Sequence, residues 1–481
     1  MVTKRKQHSA PRPVQQGLEA RAPRPNKIGA STPYNFRGKN LTPYGGLLPV
    51  ATLLEKLDFQ ALLEETITTK RITRAMSLYQ FVLALVLGLY VGFARLNQLR
   101  FIARDPILTG ILQVTRLPPQ STLWRFLASL HLNVARQILS MQRQLRERVW
   151  AAAQVKLETV TLDTDTTVHT LYGRQMGGRK SYNPKNKGKR SYQPILTFLA
   201  ETREYLMGGL RSGDRPTGQQ IAAHLESTFQ ALPAGVKRIL ARADAGFYCW
   251  EAVETSQQAH CQFVIVARKT RRLVEQLQQA AWKPSPHSDA DAECEFLYRP
   301  QGWAQTCRLL ALRYEKEPAA GAAEQYQLFA TSAYTYRVFV TNLAEPIAAV
   351  VWFYNQRAGA ENLIKEANND AGLAAHPSRR FDMNRNHFQL AMLAYNLNCW
   401  LLLFNRAAQA SVETLRHTTL ATARLRFLFV AAKIWRHAGR TGVSYSDHYQ
   451  EKGLFERLMR RLRAMAPPGS ECAPLVQGAL S

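Results

Sequence analysis

A chain of 481 residues with 46% hydrophobic side chains can bury a substantial core and make two to four domains. Its 63 Lys and Arg against 35 Asp and Glu give a formal charge of +28, which argues against a cationic partner and for a polyanion, nucleic acid before an anionic membrane surface. Cys249, Cys261, Cys294, Cys307, Cys399 and Cys472 sit at no zinc-ligand spacing and read as reduced, mostly buried thiols of an intracellular protein.

Residues 1–40 carry Lys4, Arg5, Lys6, Arg12, Arg21, Arg24, Lys27, Arg37 and Lys39 with Glu19 as the sole acid, and no apolar stretch that would make a secretory signal. So little apolar surface predicts a disordered basic arm. From 41 to 155, apolar residues at three and four spacing (LLEKLDFQALLEE, NVARQILSMQRQLRERVW) predict a helical region, expected to bind DNA through the short helix described below. Within it, Leu78 to Ala94 is barely long enough to span a bilayer and holds Gln80, so it reads as a buried core helix. In RLPPQSTLWRFLASL, Pro118 and Pro119 end one element, and Ser121 is the expected N-cap of a helix from Thr122 to Leu130. That turn and short helix, with Arg125 exposed, are compatible with a helix-turn-helix unit.

After 155 the period changes to two. VKLETVTLDTDTTVHTLYG, SYQPILTFLAE and EYLMGGLRS read as three strands, TGQQIAAHLESTFQAL as a helix, VKRILARAD as a fourth strand, WEAVETSQQA as a helix and CQFVIVAR as a fifth strand. This is the element order of a ribonuclease H-like fold, with its first part at 156–267. Residues 268–342, broken by Pro284, Pro286 and Pro300, are expected to form a β-rich insertion and a subdomain of their own. Helical periodicity returns for the second part of the ribonuclease H-like domain (343–400) and continues through a helical C-terminal region (401–481). The expected fold class is mixed α/β: a ribonuclease H-like domain split by an insertion and flanked by helical regions.

Three acids stand out against that frame. Asp165 lies in the first strand, Asp244 ends the fourth, and Glu361 lies on the helix after the insertion, in FYNQRAGAENLIKEA. First and fourth strands are neighbours in such a sheet, and a helix packed on it can bring Glu361 alongside. Clustered carboxylates repel unless cations bind. Hard oxygen ligands with room for water and phosphate suit Mg2+ or Mn2+, and two such ions support in-line phosphoryl transfer. Asp163 points to the same face as Asp165 and is its rival; Glu366 is a weaker rival to Glu361.

Tyr354, Arg357 and Glu361, spaced Y-x-x-R-x-x-x-E, resemble the signature of the Tyr-Arg-Glu-Lys group of DDE transposases from bacterial insertion sequences. LDTDTT, RADAGFY and NRNHFQLAMLAYNLN are similar to the branch related to piggyBac-type transposases, and the likeness runs over roughly residues 45 to 440. The resemblance implies Asp165, Asp244 and Glu361 as catalytic metal ligands, two Mg2+ or Mn2+ ions, and Tyr354 and Arg357 on one helix face contacting DNA near the cut. It also implies double-stranded DNA (element ends and target) as partner, a homodimer in the working complex, and a cytoplasmic, nucleoid-associated bacterial protein. The signature usually ends in Lys seven residues after the Glu. Here that position is Asn368, with Lys365 one turn after Glu361 as another phosphate contact, so an inactive or repurposed DNA-binding copy stays open, as does a nuclease without strand joining.

Arg174, Arg179, Lys180, Lys185, Lys187, Lys189 and Arg190 lie between Tyr172 and Tyr192 with no acid, in a glycine-bearing loop expected to be mobile and to neutralise phosphates beside the active site. Trp282 and Trp303 read as core, with base stacking as the alternative. Asn384, Arg385 and Asn386 read as the cap of an apolar helix, and His169, His376 and His387 carry no assigned chemistry.

Overall fold

The computed structural model describes residues 28–69, 76–286, 289–315, 334–406, 412 and 416–466. Most of the basic arm, and Cys472, lie outside the described residues. By contacts, residues 1–39 form one unit and residues 40–481 another. In the first, the described residues 28–39 are exposed.

The second unit opens with a short strand, β1 (Leu41–Thr42), and six helices: α1 (Leu47–Lys56), α2 (Phe59–Thr66), α3 (Leu78–Val91), α4 (Pro106–Leu112), α5 (Gln120–Ser129) and α6 (Val134–Ala152). The membrane-like segment is α3. Ser77 and Gln80 close a capping box at its start, Gly92 ends it at φ +109°, and every residue from Phe81 to Val91 is buried. No single helix among the described residues is long and apolar enough to cross a membrane. The expected cap at Ser121 is corrected: α5 begins two residues earlier, at Gln120, because the Pro119 carbonyl already accepts from Thr122 and Leu123. Arg125 is exposed as expected.

Next come β2 (Thr159–Thr166), β3 (His169–Thr170), β4 (Ser191–Tyr192), β5 (Ile195–Leu199), β6 (Tyr205–Gly209), α7 (Gly218–Gln230), β7 (Arg238–Ala243), α8 (Trp250–Gln258) and β8 (Gln262–Val266), close to the predicted alternation. The insertion differs from expectation. It starts with a helix, α9 (Arg271–Gln279), which buries only Leu273 and Leu277, one turn apart, and is capped by Thr270. Its strands β9 (Lys283–Pro284), β10 (Ala292–Tyr298), β11 (Cys307–Glu315) and β12 (Tyr334–Thr341) are no separate subdomain. Among the described residues they extend one nine-stranded mixed sheet of order β6-β5-β2-β7-β8-β12-β11-β10-β9. β12 runs antiparallel to β8 with Phe339 opposite Val266, so it supplies the partner that the backbone of this apolar strand needs once buried. β2, β7 and β8 are mutually parallel at the centre.

The chain continues through α10 (Ile347–Asn355), α11 (Ala358–Asn369), α12 (Phe381–Asn405) and α13 (Leu420–Ala423), then β13 (Ala432–His437), β14 (Arg440–Tyr445) and α14 (Lys452–Arg463). The 25-residue α12 is the spine of the core, buried from Met383 to Phe404 apart from Arg385 and packed on α3 and α6. Asn384, Arg385 and Asn386 lie inside α12 rather than capping it; Asn384 ties back the preceding turn by accepting from Ser378 N and donating to Ser378 O. The C-terminal region is not purely helical either, since β13 and β14 form a hairpin that pairs with β1. Alternating residues AKIWRH and RTGVSY carry that signal.

The N-terminal helices and the sheet share one hydrophobic core. A buried ionic knot joins them: Glu204, in the β5–β6 turn, accepts from Arg146 Nε at 3.0 Å, Trp150 Nε1 at 2.8 Å and Trp400 Nε1 at 2.8 Å. Removing one partner of such a set leaves an uncompensated buried charge.

Candidate active site on the central strands

The sheet fixes the two aspartates. Because β2 and β7 are parallel with Thr164 opposite Ala243, Asp165 and Asp244 follow that pair at the C-terminal ends of adjacent strands. Asp244 also caps the short 3-10 turn Ala245–Phe247, accepting from Gly246 N at 2.9 Å. A Cβ on Gly246 would come within 2.8 Å of the Asp244 Oδ1, so any larger residue there would push the carboxylate from its cap. Arg268 braces the same turn by donating to the carbonyls of Ala245 and Gly246 at 2.7 and 3.0 Å.

Geometry separates Asp163 from Asp165. Asp163 is fully buried and holds Arg242, its neighbour on β7, in a two-pronged ion pair at 2.7 and 2.8 Å; Arg242 also donates to Phe353 O of α10. Both carboxylate oxygens are thereby committed to the fold. Asp165 accepts from Thr166 N at 2.7 Å and pairs with Arg357 Nη2 at 2.9 Å. Burial pushes the Asp165 carboxyl up to about 6, Arg357 opposes that rise, and the charge of Asp244 adds to it. A carboxylate so placed beside another demands a cation, and two hard oxygen donors fit a divalent metal ion. In this conformation the guanidinium of Arg357 supplies the positive charge.

The helix side does not complete the set. The Y-x-x-R-x-x-x-E segment was expected to lie on one continuous helix, but α10 ends at Asn355 and α11 begins at Ala358. Arg357 N bonds to Tyr354 O and Ala360 N to Arg357 O, three-residue bonds that tighten the turn and break the helical face. Tyr354 is buried against Phe339, ring centroids 4.9 Å apart. Arg357 is buried, with Nη2 also 3.3 Å from Thr164 O. Glu361 lies exposed in the first turn of α11. Among the described residues no three His, Cys, Asp or Glu side chains stand close enough to hold a metal ion, so the triad is not closed here.

Glu366, the rival to Glu361, is buried and accepts from Leu420 N at 2.8 Å and bonds His417 Nε2 at 2.6 Å, which ties α11 to the start of α13 and the chain just before it. Lys365 is exposed and lines a cleft with Arg203, Glu366 and Asp370. Asn368 bonds the ring of His169 at 2.8 Å and Thr167 Oγ1 at 3.4 Å. Burial lowers His169 to about 4, so a neutral ring faces the amide.

The basic loop is pinned rather than free. Arg179 and Ser191 exchange backbone bonds, Asn183 Nδ2 donates to Thr170 Oγ1, and Tyr192 OH donates to Met176 O. Arg190, expected on phosphate, clasps the loop by donating to Gly178 O at 2.8 Å. Lys185, Lys187 and Lys189 remain exposed. Trp303 packs between Tyr248 and Trp250, and Trp282 stacks on Tyr336, both core uses.

Sequence reasoning missed Arg242, Arg268 and the His169–Asn368 pair. A charged residue inside the buried parallel strand RILARAD was a legible signal, because such a charge needs a partner.

The family model for transposase DDE domain group 1 matches residues 26–467. The chain belongs to that family. No curated protein sequence matches it. Among solved structures, the cryo-EM structure of the piggyBac transposase synaptic complex with hairpin DNA is similar over 89% of this chain and 87% of that one, at 12% identity and a TM-score of 0.43. Within the DDE transposase family, the pair Asp165 and Asp244 is the part of the predicted acid set that the sheet brings together.

Proposed function

We propose that this chain is a DNA transposase that cuts at the ends of a mobile element and joins them to target DNA, using Asp165, Asp244 and Glu361. The observation that carries the reading is the placement of Asp165 and Asp244 on adjacent parallel strands, with the Asp165 carboxyl pushed up to about 6. The order β6-β5-β2-β7-β8 supports a ribonuclease H-like half-sheet, three antiparallel strands followed by two parallel ones, with β12 to β9 as its extension.

Bound Mg2+ or Mn2+ would activate the attacking oxygen and stabilise the leaving one. The chain's own groups do the positioning. Asp165 and Asp244 would hold the ions, Asp163 and Arg242 lock the strands that carry them, and Arg357 neutralises Asp165 until a metal ion takes its place. Closing the triad requires the first turn of α11 to approach β2, and the tight turn at Gln356–Arg357 is the hinge available for it. Lys185, Lys187, Lys189 and Lys365 would meet phosphates, and two paired ends imply a dimer in the working complex.

A second reading, a DNA-binding descendant without catalysis, is favoured by the exposed Glu361 and by Asn368, which bonds His169 where the family signature has a lysine. One experiment separates the two. Labelled DNA carrying the flanks of the gene is incubated with purified protein and Mg2+, beside an Asp244→Ala control. Discrete cuts at the flanks, absent from the control and without metal, are expected. Salt-sensitive binding with no cutting, even in Mn2+, would establish the second reading.

A further inference from the structure

The hairpin of β13 and β14 lies outside the region just discussed and carries a surface of its own. Its base is anchored: β1 pairs with it at Leu41–Lys433 and Thr42–Ala432, Tyr445 OH donates to Gly45 O at 3.1 Å, and the Tyr445 ring packs on Phe455. Past Ile434 the two strands pair only with each other, and every residue from Trp435 to Thr441 is exposed. The turn has Ala438 at φ +48° and Gly439 at φ +76°, the two positive φ values of a type I′ hairpin, whose twist matches that of its strands. Six residues per strand make a ribbon about 20 Å long.

The register sorts the side chains. The pairs Lys433–Ser444, Trp435–Gly442 and His437–Arg440 share one face. A Cβ at Gly442 would meet the Trp435 ring at 2.1 Å, so the indole packs closely against the glycine while remaining 42% exposed. Arg436 adds charge from the other face. No acid occurs between Glu413 and Asp447 in the sequence, and Lys433, Arg436 and Arg440 make no ion pair among the described residues. Edge-strand protection explains a single lysine. It does not explain a one-sign ribbon built around an exposed tryptophan.

We propose that the β13–β14 hairpin is a second DNA-binding element, a two-stranded ribbon that lies in a groove of duplex DNA. Lys433, Arg436 and Arg440 meet phosphates of the two flanking backbones, and Trp435 packs against the sugar and base edges within. This rests on the reading of the chain as a DNA-binding transposase, and adds a contact remote in sequence from the acids. A rigid base and a projecting tip give the ribbon a defined direction of approach.

The test uses the full chain without metal and a fluorescently labelled duplex of about 30 base pairs, with anisotropy read across a salt series. Each lost phosphate contact lowers the slope of log affinity against log salt by about 0.9. The combined variant Lys433→Ala, Arg436→Ala, Arg440→Ala should therefore lose roughly two to three from that slope. Trp435→Ala should weaken binding several-fold with the slope unchanged, and Arg440→Lys should keep the slope. Melting temperatures equal to the parent's establish that the exposed substitutions leave the fold intact. A parent that binds duplex DNA and a combined variant with the parental slope would overturn the hairpin assignment alone. A parent that fails to bind duplex DNA would overturn the transposase reading with it. Unchanged DNA binding together with lost binding to vesicles of anionic phospholipid would reassign the hairpin to a membrane surface.

Discussion

The two sides of the candidate site are built in different ways. On the strand side, Asp165 and Asp244 sit where the register of two parallel strands puts them, and Asp163 with Arg242 bolts those strands together from beneath. On the helix side, one short segment divides its residues between the core (Tyr354), an ion pair (Arg357) and solvent (Glu361). Sheet register is specified by many side chains at once, since a one-residue slip would turn a whole buried face outward. A turn between two short helices is specified by few. On the proposed reading the strand side is preformed, and the helix side is the part that rearranges.

The largest effect is expected from the bolt. Asp163→Ala leaves the Arg242 guanidinium buried without its carboxylate, which should cost about 3–5 kcal/mol, read by denaturant unfolding. A loss below about 1 kcal/mol would mean that the strand side is not held in this way.

A smaller effect reports on Asp165. Its folded-state carboxyl, pushed up to about 6 from the usual 3.8, contributes stability that is fully present below pH 3.8 and is lost as the pH rises through 6. The rise corresponds to on the order of 3 kcal/mol. Asp165→Asn removes this titration, so its melting temperature relative to the parent should climb between pH 4 and pH 7. A difference flat with pH would place Asp165 in an ordinary solvated setting.

Much of this was legible in the sequence, for reasons that differ by region. Period-two runs rich in Val, Thr and Leu located β2, β5, β6, β7 and β8, because strands with buried faces leave little freedom in residue type. The order of those strands placed Asp165 beside Asp244. What the sequence hid was long-range pairing. RVFVTN reads as a strand, but nothing local says that it docks on β8 rather than folding apart. The hairpin of β13 and β14 was masked by the helical sequence on either side of it. Seven-residue spacing from Tyr354 to Glu361 suits one helix, and only the three-residue hydrogen bonds around Arg357 interrupt it. The choice between Asp163 and Asp165 likewise needed Arg242, which lies 79 positions from Asp163 in the chain.

Asp165 and Asp244 should form a cation site that the sheet has already assembled, and Mn2+ titration of the DNA-free protein, followed by the loss of the free-ion paramagnetic signal, tests this directly. Binding should be lost in Asp165→Asn and in Asp244→Asn and retained within about twofold in Glu361→Gln, since that side chain points to solvent. If both aspartate variants bind Mn2+ as the parent does, the two strands do not form the metal site and the account is wrong at its centre.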